Sequence, residues 1–316
     1  MPVARLATAA RVMSLLTVGF GLCVGILVGM TGIGGGSIMT PLLILVLGVK
    51  PVVAIGTDLS YAGITKTLGG WRHMRAGNVD QRTSMWLATG SVPGAIAGVW
   101  VLKRLHAAVG DNFDHVVLII VAAALALTGA ATLARALFVR NLEERERETV
   151  VMTGRLKVAA VLIGLSVGFV LGISSAGSGA LIAVGLIVVF RLSPRRVVGT
   201  DVFHAAILLW AASIAHLLSG NVDVGMTLNL LIGSLPGVWL GTSWSGKVPV
   251  GVLRPLLGIV LCTASVGLLS KSGVGVPAPL IGVVPLVLGL LTWSRKRGSP
   301  LARKVSRALA TLAGRA

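Results

Sequence analysis

"TGIGGGSIMTP", residues 31–41, separates two apolar runs, and its reading decides how the chain folds. Gly32, Gly34, Gly35 and Gly36 crowd into it, and each glycine costs a helix interior roughly 1 kcal/mol relative to alanine. An apolar helix therefore breaks here. A phosphate loop would need GxxxxGK[ST] after a strand, and the sequence has neither. Two readings remain, a plain turn or a break that works inside a membrane.

A second copy of the stretch favours the membrane. "SSAGSGALIAV", residues 174–184, lies 143 positions further on, with Gly177 and Gly179 in register with Gly34 and Gly36. The register extends without a gap from residues 21–100 to 164–243, where 27 of 80 positions are identical. Gly-Thr-Asp (56–58) meets Gly-Thr-Asp (199–201), Gly-Asn-Val-Asp (77–80) meets Gly-Asn-Val-Asp (220–223), and Gly-Ser-x-Pro-Gly (90–94) meets 233–237. Shared apolar composition would not align Asp, Asn and Pro, so the chain is two homologous halves.

Around these motifs the 316 residues are 55% hydrophobic and only 12% charged, against about 25% charged in an ordinary soluble domain. The apolar blocks mostly reach the roughly 17–25 residues of a spanning helix, which makes this an all-α polytopic membrane protein. The net charge of +18 fits basic loops between apolar blocks better than nucleic acid, because few aromatics interleave the cations. Cys23 and Cys262 lie inside apolar blocks without metal spacing. The run after Arg5 and Arg11 reads as structure rather than a cleaved leader, since it has a counterpart in the second half.

The distribution of cations sets the topology. If the opening stretch of each half crossed once, Lys and Arg would divide about 12 inside to 15 outside. If it is a hairpin returning to its side of entry, with the N-terminus outside, 21 fall inside, 6 outside, and Lys66 stays in the membrane. The second division follows the positive-inside rule. It makes the two halves inverted repeats, each a re-entrant glycine-rich hairpin and three transmembrane helices. The expected segments are 12–139, a charged cytoplasmic linker 140–157, 158–270, a further C-terminal helix 276–293, and a basic cytoplasmic tail 294–316. The second hairpin arms, roughly 11–12 residues at about 1.5 Å each, cannot cross a core of about 30 Å, so the glycine turns meet near the midplane.

Such turns have a chemistry of their own. Unpaired backbone survives in a membrane only against protein or a wet cavity, and broken helices at the midplane mark transporter binding sites. The N–H groups at Gly35, Gly36 and Ser37, and at Ser178 and Gly179, would open the short helices and offer an anion the positive dipole end. Gly34, Gly177, Ser175, Thr57 and Thr200 join them as candidate substrate contacts. The competing reading of the glycines is tight helix packing. Asp58 and Asp201 lie about 10 Å into helices that begin at Pro51 and Pro194, and serve either as proton carriers or as anchors of the re-entrant turns. Lys66 stands alone among Lys and Arg inside an apolar block, and its repeat partner is Leu209. It either pairs with the anion or Asp58, or snorkels to the interface. Tyr61 and its partner His204 either meet the ligand or satisfy the aspartates. His73 and His216, at block ends, are expected at the interface, and Pro93-Gly94 reads as a kink. The sequence shows no catalytic triad and no metal or cofactor pattern, so no enzyme is expected.

With these residues in hand, the chain resembles the TauE/SafE family of sulfite and sulfur-anion exporters. The resemblance rests on "GILVGMTGIGGGSIMTPLL", "AIGTDLSYAGITKTLGG", the "GNVD" loop and the second copy "SVGFVLGISSAGSGALIAV" with "VVGTDVF", over about residues 15–270. It implies a permease of the bacterial inner membrane for sulfite or organosulfonates. The sulfur chemistry comes from the resemblance alone, while the residues point to a small anion. The expected function is anion export by alternating access, with an anion channel, an uptake permease and a membrane-embedded partner protein as the alternatives. The expected partners are the small anion and the lipid bilayer, with a homodimer left open.

Overall fold

The structure, a computed structural model, describes residues 15–31, 36–138, 147–245 and 250–275, and isolated positions from 280 to 287. Residues 12–14 and 139–146, the basic tail and most of the expected 276–293 helix lie outside the described residues. Within them the chain is helical, with α1 (Leu15–Thr31), α2 (Gly36–Leu45), α3 (Pro51–Arg75), α4 (Gln81–Val109) and α5 (Phe113–Phe138) in the first half. The second half holds α6 (Gly154–Ser174), α7 (Ser178–Val188), α8 (Pro194–Leu218), α9 (Val224–Ser245) and α10 (Val250–Lys271). An offset of 143 carries α3 onto α8 end to end, and the start of α4 onto the start of α9.

Local chemistry fixes these shared boundaries. Pro51 and Pro194 open α3 and α8, where a missing N–H costs nothing. Gly77 and Gly220 close them in the left-handed region, at φ 67° and 72°. Gly77 N–H donates to Met74 and Asn78 N–H to His73, and Gly220 and Asn221 repeat the pattern onto Leu217 and His216. This double bond is the Schellman stop. Asp80 and Asp223 then cap the next helices, accepting from Thr83 N–H at 3.0 Å and Met226 N–H at 2.8 Å. The Gly-Asn-Val-Asp motif is thus a helix stop followed by a helix start.

Among the described residues four stretches are long and apolar enough to cross a membrane: Gln81–Ala134, Gly154–Ser174, Pro194–Leu218 and Val224–Gly241. The first comprises α4 and α5, divided at Gly110 with φ 59°. The helix α3 has the length of α8, 25 residues, but does not qualify, because Asp58, Lys66, Arg72 and Arg75 interrupt its apolar face.

Packing repeats across the halves. The helices α4 and α6 lie backbone to backbone: a Cβ on Gly90, Gly94 or Gly98 would strike the carbonyls of Val161, Leu165 or Phe169. The helices α1 and α9 do the same, with Gly233, Gly237 and Gly241 against Val18, Leu22 and Ile26. At Pro93-Gly94, expected as a kink, the glycine lies in the contact between the helices. At the centre, α3 crosses α8, and α5 packs on α10. The two short helices are wrapped by the rest, with Met39, Leu43 and Ile44 of α2 and Ile182 and Leu186 of α7 fully buried. Large apolar side chains such as Trp100, Leu228 and Trp239 line the outside, a surface suited to hydrocarbon.

Candidate functional site

The two short helices have 10 residues in α2 and 11 in α7, about 15–17 Å each. Gly34 and Gly35 lie outside the described residues. Gly36 and Ser37 begin α2, and Ser178 and Gly179 begin α7. The turn before α7 is left-handed at Ser175 (φ 57°) and at Gly177 (φ 102°). The N-cap of α7 is Gly177, which has no side chain to cap the first N–H groups. The Thr128 hydroxyl of α5 stands beside Gly177, where a Cβ would lie 3.4 Å from it.

Asp58 joins α2 to the turn before α7. Its Oδ2 accepts from Thr40 Oγ1 of α2 at 2.6 Å and from Ser175 Oγ of the second turn at 2.8 Å. Those hydroxyl oxygens lie 2.5 Å apart. Its other oxygen has no partner among the described residues, and the residue is fully buried. Sequence reasoning missed Thr40 in this cluster. It sits in the quoted stretch, but its repeat partner is Ala183, so the comparison of halves hid it.

Asp201 is buried on α8. His204, one turn on and fully buried, makes a 2.9 Å hydrogen bond through Nε2 to Ser91 Oγ of α4. In the repeat, Tyr61 is the counterpart of His204 and Ser234 that of Ser91, but the buried Tyr61 hydroxyl makes no hydrogen bond among the described residues and Ser234 Oγ donates to the Leu231 carbonyl. Ser91 and Ser234 belong to the matched Gly-Ser-x-Pro-Gly pattern, whose serines are not among the site residues expected from the sequence. His216, expected at the interface, is packed inside the protein. It is fully buried, with Nε2 2.9 Å from the Gly172 carbonyl near the end of α6.

Lys66 is buried at 7% exposure, and its ammonium has no hydrogen-bond partner among the described residues. The groups within electrostatic range of it include His73 and His204. A buried cation with no carboxylate on it among the described residues is a costly arrangement.

Thr57 and Thr200 have other work. Thr57 Oγ1 accepts from Asp223 N–H at 3.1 Å, and Thr200 Oγ1 from Asp80 N–H at 2.9 Å. Gly56 and Gly199 beside them lie against the carbonyls of Asn221 and Asn78. Each half's Gly-Thr-Asp thus receives the other half's loop, and α3 and α8 run antiparallel. Arg196 adds a 3.0 Å bond to the Val79 carbonyl, and Val150 N–H donates to Asp80 at 3.2 Å. A separate cleft of about 510 Å³, lined by Lys50, Lys103, His106, Asp111 and Asn221, opens near the start of α3 and includes none of the expected site residues. Among the described residues no three His, Cys, Asp or Glu gather to hold a metal ion.

The family model described as Sulfite exporter TauE/SafE matches residues 17–268. The chain is 34% identical over 257 residues to "Probable membrane transporter protein YjnA" of Bacillus subtilis (strain 168), covering 81% of this chain and 100% of that protein. It is 26% identical over 245 residues to "Probable membrane transporter protein YdhB" of the same organism, covering 78% and 95%. A "Probable membrane transporter protein" of Xylella fastidiosa (strain Temecula1 / ATCC 700964) is 25% identical over 266 residues, covering 82% and 95%. No solved structure matches the chain.

Proposed function

This chain belongs to the sulfite exporter TauE/SafE family of membrane transporters, and from that premise we propose that it is a secondary carrier of small anions. Its cargo in this reading is a sulfur oxyanion, sulfite or an organosulfonate, moved out across the bacterial inner membrane. The N-terminus is outside and the C-terminus cytoplasmic. The halves, 12–139 and 158–270, are inverted repeats. The antiparallel α3 and α8, with the loops exchanged onto Thr57 and Thr200, support that arrangement. The anion sits between the openings of α2 and α7, and one half rocks against the other to expose it alternately.

The observation that carries the reading is Lys66. Its ammonium is buried, lacks a partner among the described residues, and lies within range of His204. A permanent structural role would have given it a carboxylate; a site that fills and empties leaves it waiting for charge from the cargo.

The test is flux of sulfite and of methanesulfonate in proteoliposomes. Wild type saturates, and Lys66→Gln raises KM roughly ten- to hundredfold, the value of one hydrogen bond to a charged group. Lys66→Arg recovers part of the loss. Flux without saturation marks a channel instead, and an unchanged KM in Lys66→Gln removes Lys66 from the site.

A further inference from the structure

The helices α4 and α6 touch through glycines and run in the same direction. Gly90, Gly94 and Gly98 meet Val161, Leu165 and Phe169 in rising order, and Gly164 and Gly168 meet Leu87 and Ser91. On α4, Trp86, Pro93 and Ala97 each precede a contact residue. On α6, Leu162, Leu165 and Phe169 each follow one. In two parallel helices of one hand, those positions line the same side of the seam. They form a shallow apolar groove, with Pro93, Ala97, Leu162 and Leu165 exposed along it. The polar side chains beside it turn inward: Thr89 donates to the Trp86 carbonyl at 2.8 Å and Ser166 to Leu162 at 2.9 Å.

One end of the groove is cationic. Arg82 stands one turn before Trp86, and Arg155 two turns before Leu162, and both are exposed. Lys157 spans the seam, its ammonium 5.0 Å from the centre of the Trp86 ring. That distance is a cation–π contact, and a tryptophan at the end of an apolar stripe is an interfacial anchor. Among the described residues no carboxylate pairs with these three cations. The nearby acids are engaged elsewhere. Asp80 accepts from Thr83 and Val150 N–H, and Glu148 pairs with Arg196 at 3.4 Å. Close glycine packing does not itself require the cations. The helix α9 packs on α1 in the same way, yet has Gly225 where α4 has Arg82 and Asn229 where it has Trp86.

We propose that this side of the α4–α6 seam binds an anionic phospholipid. The headgroup phosphate accepts from the Arg82 and Arg155 guanidinium groups and the Lys157 ammonium, as charge-assisted hydrogen bonds. An acyl chain lies along the groove. From Arg82 to Ala97 the groove runs about 22 Å, longer than one leaflet of a core about 30 Å thick. A zwitterionic lipid is disfavoured, because its headgroup brings a fourth cation among three. The site does not depend on what the protein transports. It ties α4 of the first half to α6 of the second.

Two measurements on the purified full chain test the site. In the first, phosphatidylglycerol or phosphatidylcholine is titrated into the protein in detergent and retained lipid is counted by native mass spectrometry. Phosphatidylglycerol stays as one adduct at concentrations where phosphatidylcholine does not. Arg82→Gln, Arg155→Gln and Lys157→Gln each weaken it about fivefold, and roughly hundredfold together. The control removes Arg72, Arg75 and Arg195, exposed cations outside the seam, as glutamines, and retention is unchanged. Equal loss in the two triple variants, or equal retention of the two lipids, overturns the site. Displacement of the adduct by inorganic phosphate makes it a site for free anions and overturns the lipid. The second measurement needs no change to the cations. Phosphatidylglycerol brominated on its acyl chains quenches tryptophan, and the difference between wild type and Trp86→Phe isolates the share of Trp86. Quenching of Trp86 exceeds that by brominated phosphatidylcholine; no difference between the two lipids overturns the proposal.

Discussion

Thr57 and Thr200 show how one motif can serve two purposes that look identical in a sequence. Gly-Thr-Asp recurs in register, and recurrence marks a position held fixed without saying by what. A ligand would hold it fixed, and so does the loop of the opposite half, which is where both hydroxyls are engaged. Thr200→Val should leave the buried Asp80 N–H without an acceptor and cost about 1–3 kcal/mol. Thr57→Val should cost less, because Asp223 N–H is only part-buried and water can replace the bond. Thermal unfolding in detergent measures the order, and an equal loss in both variants would contradict it. Lys66 was legible for the opposite reason: one cation in an apolar block needs no partner in the repeat to be noticed. Ser91 was half-legible. Its pattern was visible, but the Pro beside it suggested a bend, and only the fold brings it to His204.

At the scale of elements, the sequence is clearest where a boundary is made locally. Proline, left-handed glycine and capping aspartate are all short-range devices, and α3 and α8 start and stop where these residues place them. Packing faces are less legible, since a glycine that lets helices touch and a glycine that bends one are the same letter. The contact between α4 and α6 tests the distinction. A Cβ on Gly168 would lie 2.7 Å from the Ser91 Cα, and Ser91 carries His204. Gly168→Ala should therefore destabilise the protein by about 1–3 kcal/mol through forced separation of the helices. Gly19 on α1 has nothing within 4 Å of the same position. Gly19→Ala should be neutral or stabilising by up to roughly 1 kcal/mol, the helix propensity gained. A comparison of unfolding temperatures decides, and equal behaviour of the two variants would mean that the close approach is not structural.

At the scale of the whole molecule, the question is which way each half faces, and two independent arguments meet on it. The first is charge: Arg72, Arg75 and Arg82 flank the loop at 76–80, whereas the loop at 219–223 has no Lys or Arg. A membrane that retains cations on its inner side would keep the first loop in and let the second out. The second is packing. Thr57 near the start of α3 touches Asp223 beyond the end of α8, and Thr200 near the start of α8 touches Asp80 beyond the end of α3. Two helices that meet head to tail put their following loops at opposite ends. A helix of 25 residues is about 37 Å long, enough to carry those ends to opposite sides of a core of about 30 Å. Cysteines at Ala76 and Ser219, in a chain freed of Cys23 and Cys262, should therefore react differently with a membrane-impermeant maleimide. Ser219→Cys labels in intact cells, and Ala76→Cys labels only after permeabilisation. Both positions avoid the left-handed Gly77 and Gly220, so the substitutions leave the helix stops in place. Labelling of both from one side would make the halves parallel and would overturn the inverted arrangement.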